Sequence, residues 1–182
     1  EFKLRHPEIQ LRVDFDDRQI DLSREDYDFA IRITEALESD VIAKHLGSVR
    51  LQFYGSPGYV AKHGVPAKPN DLRTHAVLGY GATRRKYVSV IDAAENLSRV
   101  ELQVVLNTNS GVFMRDAAMR GVGLTALPDF LATSAVERGE LVPVLDGWRL
   151  PDAGIYLVHS EKRRLNRRMR LFSLEMATMF SR

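Results

Sequence analysis

Residues 11–32 decide the fold, and they read LRVDFDDRQIDLSREDYDFAIR. Apolar side chains alternate with mostly charged ones over residues 11–15, which is the pattern of a half-buried β-strand. Residues 20–27 then follow a short helical pattern, and the apolar run 29–31 predicts a second strand. A strand, a helix and a strand within about twenty residues form a compact βαβ unit, and such units build parallel sheets.

Polar side chains follow both predicted strands. Asp16 and Asp17 come after the first strand, and Arg32 comes after the second. Open parallel sheets bind ligands at the carboxyl ends of their strands, so these side chains are candidate binding residues. The two aspartates are predicted to hydrogen-bond a ligand, unless one of them caps the helix that follows. Arg32 is predicted either to bind an anionic ligand or to pair with a neighbouring carboxylate such as Asp28 or Glu35.

The composition limits the class of protein. The chain has 182 residues, 45% of them hydrophobic and 27% charged, as expected for one soluble domain or two small lobes. The sequence has no apolar run of the ~18 residues that a transmembrane helix needs. It has no cysteine, which excludes disulfides and cysteine metal sites and suits a cytoplasmic protein. The net charge of +2 predicts no particular partner.

Strands and helices alternate along the rest of the chain, so the predicted fold class is α/β. Strand 50–55 is predicted to leave one lobe, and strand 155–159 is predicted to return to it. Two crossing strands place a cleft between two lobes, and small molecules bind preferentially at such an interface. Tyr54 and Ser56 lie where the chain crosses, and they are predicted to be hinge or cleft residues.

Residues 107–110, Asn-Thr-Asn-Ser, precede a predicted helix. A helix N-terminus offers free N–H groups and a partial positive charge, which suit a carboxylate. The alternative is that these residues only cap their own helix, and the two roles are compatible. Pro128 and Phe130 lie at a later strand-to-helix junction. Phe130 is predicted to cover the ligand or to belong to the core, and the core is favoured.

Eight short segments follow one another in the order found in one known family, and together they cover nearly the whole chain. They are HPEIQL (6–11), DRQIDL (17–22), YDFAIR (27–32), GSPGY (55–59), Asp71-Leu72 with His75, GVGL (121–124), LPDF (127–130) and GELVPVL (139–145). Each segment is weak evidence alone, but the set at these spacings is specific. Through them the chain resembles the effector-binding domain of LysR-type transcriptional regulators.

The resemblance implies two lobes of periplasmic-binding-protein type II-like architecture, joined by two crossover strands, with a small effector in the cleft. The implied lobes are residues 1–53 with 155–182, and residues 54–154. The residues predicted to bind the effector are Asp16, Asp17, Arg32, Tyr54, Ser56, Thr108, Asn109, Ser110, Pro128 and Phe130. The effector is expected to be anionic or aromatic, and no cofactor or metal is expected.

The resemblance also implies partners that this sequence does not contain. Family members carry an N-terminal winged helix-turn-helix, so DNA is expected to bind only through that missing part. The first strand and most of the first helix of the effector domain are missing as well, and residues 1–5 read as the end of a helix that Pro7 terminates. Family members pair these domains side by side and antiparallel, so a dimer or tetramer is expected.

An enzyme is not expected. The five histidines show no metal-ligand spacing such as HExxH, and there is no Gly-x-Ser-x-Gly elbow or phosphate-binding loop. The basic segment 161–170 fits phosphate binding, but no aromatic residues interleave with its cations, so a solvated helix face is favoured. The alternative function is a solute-binding protein of a transporter, whose fold is similar. A third is a domain that only holds the regulator's oligomer together.

Overall fold

The computed structural model describes residues 1–15, 22, 26–37, 39–81 and 86–180. The backbone forms two compact units: unit 1 comprises Glu1–Val49 with Ala153–Arg182, and unit 2 comprises Arg50–Asp152. Each unit combines strands with helices, in agreement with the predicted α/β class.

The elements follow one another in a single order along the chain. They are α1 Phe2–Arg5, β1 Ala30–Thr34, β2 Val41–Val49, β3 Leu51–Gly55, α2 Pro57–His63, a 3-10 helix Pro69–Thr74, β4 Ala76–Tyr80, β5 Tyr87–Ile91, β6 Leu97–Glu101, β7 Gln103–Thr108, α3 Gly111–Met119, β8 Leu124–Pro128, α4 Asp129–Glu137, β9 Val142–Val144, β10 Ala153–Ser160 and α5 Arg167–Phe180.

Unit 1 is built on a three-stranded antiparallel sheet in which β10 lies between β1 and β2. Helix α5 packs against this sheet, where Lys44 of β2 donates a hydrogen bond to the carbonyl of Ser173 at 3.3 Å. The ring of Phe172 lies 5.5 Å from that of Phe29 and 5.0 Å from that of Phe2. These aromatic contacts join α1, the segment before β1 and the final helix into one small core.

The strand predicted over residues 11–15 is not formed. This segment has no regular secondary structure, and Val13 and Phe15 are 65% and 97% exposed. A strand needs a neighbour to satisfy its backbone groups, and in the described part of unit 1 the outer strands β1 and β2 pair only with β10. The parallel pairing expected from the run 29–31 is also wrong, because β1 is antiparallel to β10. The helix predicted over residues 20–27 falls largely outside the described residues.

Unit 2 is built on a five-stranded sheet with the order β7-β4-β8-β3-β9. Strand β4 is parallel to both of its neighbours, whereas β3 is antiparallel to β8 and β9. Strands β5 and β6 form a separate antiparallel pair. Strands β6 and β7 follow each other along the chain with one residue between them. Leu102 lies at the break, where its N–H donates to the carbonyl of Lys86 at 2.7 Å.

The five-stranded sheet buries apolar side chains on both faces, because successive residues of a strand point to opposite sides. Phe53 and Val77 belong to a cluster that also contains Val90 of β5, with Trp148 packed against it. The adjacent side chains of β3 and β4 belong to a second cluster, formed with helices α3 and α4. Helices α3 and α4 therefore cover one face, and the β5–β6 pair covers the other together with Tyr59 of α2.

Gly123, which precedes β8, offers a test of how closely unit 2 is packed. A Cβ atom added here would lie 2.6 Å from the carbonyl oxygen of Ala76, which is backbone and cannot rotate away. Gly123→Ala is therefore expected to lower the free energy of unfolding by about 1–3 kcal/mol, the usual cost of overpacking. The matched control is Gly58→Ala in α2, where no atom lies within 4 Å of an added Cβ. Urea denaturation is expected to show equal or higher stability for the control, and equal losses in both variants would contradict the prediction.

A partly exposed ion-pair cluster joins the start of unit 1 to its last helix. His6 donates from Nε2 to Oε1 of Glu175 at 2.9 Å, and Arg5 lies 3.3 Å from the other carboxylate oxygen. The hydrogen bond from His6 is the main cause that lowers the pKa of Glu175, and the Arg5 charge adds to it. The folded state therefore favours the ionised carboxylate.

The sign of the pH dependence follows from the lowered pKa of Glu175. A carboxyl group with a depressed pKa stabilises the fold above its ordinary pKa of 4.5, and this contribution is lost as the pH falls through the folded-state value. Glu175→Gln is expected to lower the melting temperature at neutral pH and to reduce the further loss that the wild type shows below about pH 4.5. Glu101→Gln, at an exposed position of β6, is the control. Identical pH–stability curves for wild type and Glu175→Gln would refute this role.

Candidate functional site

The turn between β7 and α3 forms a helix N-terminus with two unused donors. Thr108 Oγ1 accepts the N–H of Ser110 at 3.2 Å, and Ser110 Oγ accepts the N–H of Phe113 at 3.3 Å. These bonds confirm Ser110 as the N-cap of α3. Within the described residues, no hydrogen bond uses the N–H of Gly111 or Val112. The first turn of α3 therefore presents two donors, together with the positive end of the helix dipole.

The predicted residues of this turn differ in their exposure. Asn109 is exposed, whereas Thr108 and Ser110 are half-buried and already accept hydrogen bonds from the backbone. Asn109 is consequently the member of the turn whose amide is presented to solvent. The other two hold the turn in shape, since their oxygens fix the position of the first helical turn.

Asn107 is the last but one residue of β7, and it belongs to the candidate segment 107–110 but not to the residues predicted to bind the effector. Its side-chain oxygen is buried and has no hydrogen-bond partner in the described part of the chain. The side chain occupies the space above Gly79, its partner on β4, where an added Cβ would collide with that oxygen. A buried polar atom without a partner costs free energy, so this oxygen would be stabilised by a hydrogen bond from a donor such as water. The only signal of this arrangement in the sequence is Gly79, whose lack of a side chain leaves room for Asn107. That signal cannot be used from the sequence alone, because only the strand register shows that the two residues are opposite each other.

The parallel strands bring further candidates to the same edge of the sheet. Strands β4, β7 and β8 run in the same direction, so their carboxyl ends, at Tyr80, Thr108 and Pro128, lie at one edge of unit 2. Tyr80 is 50% exposed there. Pro128 is half-buried and precedes α4. Phe130 is 56% exposed, so its favoured assignment to the core is wrong.

Tyr54 and Ser56 are separated from that edge. Strand β3 is antiparallel to β8, with Leu51 opposite Pro128 and Tyr54 opposite Thr125. Ser56, which follows the end of β3, therefore lies at the opposite edge of the sheet. It is 5% exposed and caps α2 by accepting the N–H of Tyr59 at 3.2 Å.

Tyr54 is part of the core. Its side chain is 7% exposed and packs in the cluster formed with α3 and α4. Burial is the main cause that raises its pKa, and the charge of Asp129 adds to the effect. A phenol that is buried and held neutral in this way contributes to the packing of β3 against α3 and α4.

The described part of unit 2 contains a cavity of about 760 Å³ at the Ser56 edge. Cations and acids both line it, among them Lys62, His63, Arg120 and Glu140. The carboxylate of Glu140 is already paired with Arg138 at 2.7 Å, a residue outside the lining. The cavity thus lies at the sheet edge opposite the α3 N-terminus, and its mixed charge selects no single class of ligand.

The remaining predicted residues belong to unit 1. Asp16 and Asp17 lie outside the described residues. Arg32 lies in the middle of β1, opposite Tyr156, and is half-buried, so its predicted place at the carboxyl end of a parallel strand is wrong. Asp28, one of its two suggested partners, pairs with Arg163 at 3.1 Å.

The described residues contain neither a candidate metal site nor a candidate membrane-spanning helix. They contain no group of three or more histidine, aspartate or glutamate side chains placed to hold a metal ion. None of the described helices is both long and apolar enough to cross a membrane.

Solved structures define the class of fold. The regulatory domain of CrgA from Neisseria meningitidis, a LysR-type transcriptional regulator, superposes with a TM-score of 0.80 at 28% identity, over 98% of this chain and 88% of that one. The full-length virulence activator AphB of Vibrio cholerae gives a TM-score of 0.79 at 23% identity, over 98% of this chain and 60% of that one, which shows the fold alone. The fold is the two-lobe, type II periplasmic-binding-protein-like fold of such regulatory domains, as predicted.

The sequence comparisons define the family. The family model for the LysR substrate binding domain matches residues 1–180. An uncharacterized HTH-type transcriptional regulator of Haemophilus influenzae is 31% identical over 164 residues, which make up 90% of this chain and 57% of the relative. CrgA of Neisseria meningitidis serogroup C is 31% identical over 145 residues, or 79% of this chain and 48% of the relative. The chain belongs to the LysR substrate-binding domain family.

The family relatives differ from this chain in length, and their names state a function. The chain spans about half the length of these two relatives, at 57% and 48%. Both relatives are named as transcriptional regulators and not as enzymes, in agreement with the expected absence of an enzymatic function.

The cap of α3 can be tested apart from any ligand. Ser110→Ala removes the side-chain acceptor of the Phe113 N–H and is expected to lower the free energy of unfolding by about 0.5–2 kcal/mol. Asn109→Ala, at the neighbouring exposed position, is expected to change it by less than about 0.5 kcal/mol. Chemical denaturation of both variants checks the difference. A destabilising Asn109→Ala would show that this side chain supports the fold.

Proposed function

We propose that this domain senses a small anionic or aromatic effector for a LysR-type transcriptional regulator. The observation that carries the proposal is the first turn of α3, whose free Gly111 and Val112 N–H groups lie at the carboxyl ends of parallel strands in a chain that matches the LysR substrate binding domain. Free N–H groups and a helix dipole favour a carboxylate. The exposed rings of Tyr80 and Phe130 favour an aromatic body next to it.

The same proposal assigns roles to individual side chains. Asn109 hydrogen-bonds the effector, and the unpartnered Oδ1 of Asn107 accepts from a donor group of the effector, while Thr108 and Ser110 maintain the turn. Arg32, Asp16 and Asp17 remain predicted binding residues. Tyr54 and Ser56 contribute indirectly in this proposal, which is supported by the packing of Tyr54 in the core and by the hydrogen bond through which Ser56 caps α2.

The whole protein acts, in this proposal, as a cytoplasmic DNA-binding oligomer. DNA is bound by an N-terminal helix-turn-helix outside this chain, and the domain associates with further copies as a dimer or tetramer. The effector changes transcription by binding the competing states of that oligomer with different affinities, since a ligand with equal affinity for all states shifts no equilibrium.

Benzoate is a suitable probe, because it combines a carboxylate with an aromatic ring. In a ¹⁵N-labelled sample of the chain, benzoate is expected to shift the amide resonances of Gly111, Val112 and Phe113. Benzamide, which has the same shape and no charge, is expected to cause much smaller shifts. Proline lacks the N–H and is tolerated in a first helical turn, so Val112→Pro is expected to weaken benzoate binding by about tenfold or more.

The control keeps the donor and removes only the side chain. Val112→Ala retains the N–H and is expected to bind benzoate like the wild type. Gly111 precedes the substituted position, so no Cβ collides with the new proline ring. The proposal fails if benzoate leaves the first turn of α3 unperturbed up to its solubility limit, or if the shifts centre on the cavity near Ser56 and Lys62.

A further inference from the structure

The segment 162–170 of unit 1 carries a dense set of exposed cations. It spans the turn after β10 and the first turn of α5. The exposed side chains, which together form the 162–170 cationic surface, are Lys162, Arg164, Arg167, Arg168 and Arg170.

None of these five side chains has an acidic partner among the described residues. Arg163, in the same segment, behaves differently: it is half-buried, pairs with Asp28 at 3.1 Å and donates to the carbonyl of Tyr27 at 2.6 Å. Arg170 donates from Nε to the carbonyl of Leu165 at 3.2 Å, which leaves its charge uncompensated. The segment therefore has one arginine engaged in the fold and five cations turned towards solvent.

The position of these cations is unfavourable for the isolated helix. Arg167, Arg168 and Arg170 occupy the first turn of α5, which contains no acidic residue. Asn166 caps this end by accepting the N–H of Met169 at 3.0 Å. The N-terminus of a helix is the positive end of its dipole, so cations there are destabilising and acidic residues would be preferred. The fold itself gives no reason for this charge, but a polyanionic partner does.

The residue types of the 162–170 cationic surface favour some polyanionic partners over others. Its apolar residues are turned inwards: Met169 is 5% exposed and Leu165 is half-buried, so no exposed side chain serves as a membrane anchor. It has no aromatic residue on which single-stranded bases stack. Four of its five cations are arginines, whose planar guanidinium groups bind phosphate through two parallel hydrogen bonds.

We propose that the 162–170 cationic surface binds the phosphate backbone of duplex DNA without reading its sequence. Contacts of this kind position a protein on a duplex and carry no sequence information of their own. The inference rests on the proposed function only in that a DNA-binding regulator brings duplex DNA within reach of this domain. It adds a second DNA contact to the one assigned to the helix-turn-helix.

Fluorescence anisotropy of the 182-residue chain with a labelled duplex of unrelated sequence tests the proposal. Each phosphate contact contributes about −0.9 to the slope of log K against log salt concentration, so five contacts predict a slope near −4.5. The triple variant Arg164→Gln, Arg167→Gln and Arg168→Gln is expected to reduce its magnitude by about 2.7. It is also expected to keep or raise the melting temperature, because it removes cations from the positive end of α5.

The matched control is the triple variant Lys62→Gln, Arg73→Gln and Lys86→Gln, which removes the same charge from exposed positions of unit 2. It is expected to retain the wild-type slope. Equal reductions in both triple variants, or no binding by the wild type at low salt, would overturn the proposal. Binding of poly-glutamate but not of the duplex would overturn it too, in favour of an acidic protein partner. Both triple variants are expected to bind benzoate normally, so a failure here is separable from a failure of effector sensing.

Discussion

The parallel pairing of β4 with both β7 and β8 determines where the candidate binding groups of unit 2 lie. Parallel strands end at the same edge, and the chain must leave each of them through a turn or a helix. At this edge those exits are the turn at Asn109 and the start of α4 at Asp129. Because β3 runs in the opposite direction, the residues that follow it are carried to the far edge. The direction of β3 thus places Ser56, which caps α2, at one edge of the sheet. The free N–H groups of Gly111 and Val112 lie at the other edge.

Unit 1 is organised by different forces. Its sheet is antiparallel and has only three strands, so much of its cohesion comes from α5 and from the ring contacts of Phe172. The Glu175 cluster connects the two ends of this unit, which are far apart in sequence. Helix α5 has two distinct surfaces in consequence. One surface faces the interior, where Met169 is buried and Phe172 contacts Phe2 and Phe29. The other, at the first turn, bears exposed arginines that have no acidic partner among the described residues.

The sequence predicted correctly those elements that depend only on residues close to one another in the chain. The Ser110 cap and the helix after it follow from side-chain types within a few residues, and the structure confirms them. The strand over residues 11–15 failed because alternation shows only that a segment is able to pair, whereas its existence depends on a neighbour elsewhere in the sheet. Arg32 was misplaced for the same reason, since a strand's end depends on its partner. The roles of the turn residues in binding were predicted from helix chemistry and remain predictions.

Trp148 is the single tryptophan of the chain, and it lies in unit 2 against the cluster of Phe53 and Val77. Its fluorescence therefore reports on one half of the molecule and leaves the other half silent. Far-ultraviolet circular dichroism instead reports on helices of both units, since α5 lies in unit 1 and α2, α3 and α4 lie in unit 2. Comparing the two optical signals on one sample therefore shows whether unit 1 melts together with unit 2. Coincident transitions would indicate that the two units unfold as one cooperative unit. Separate transitions would indicate that each unit unfolds independently and has its own stability.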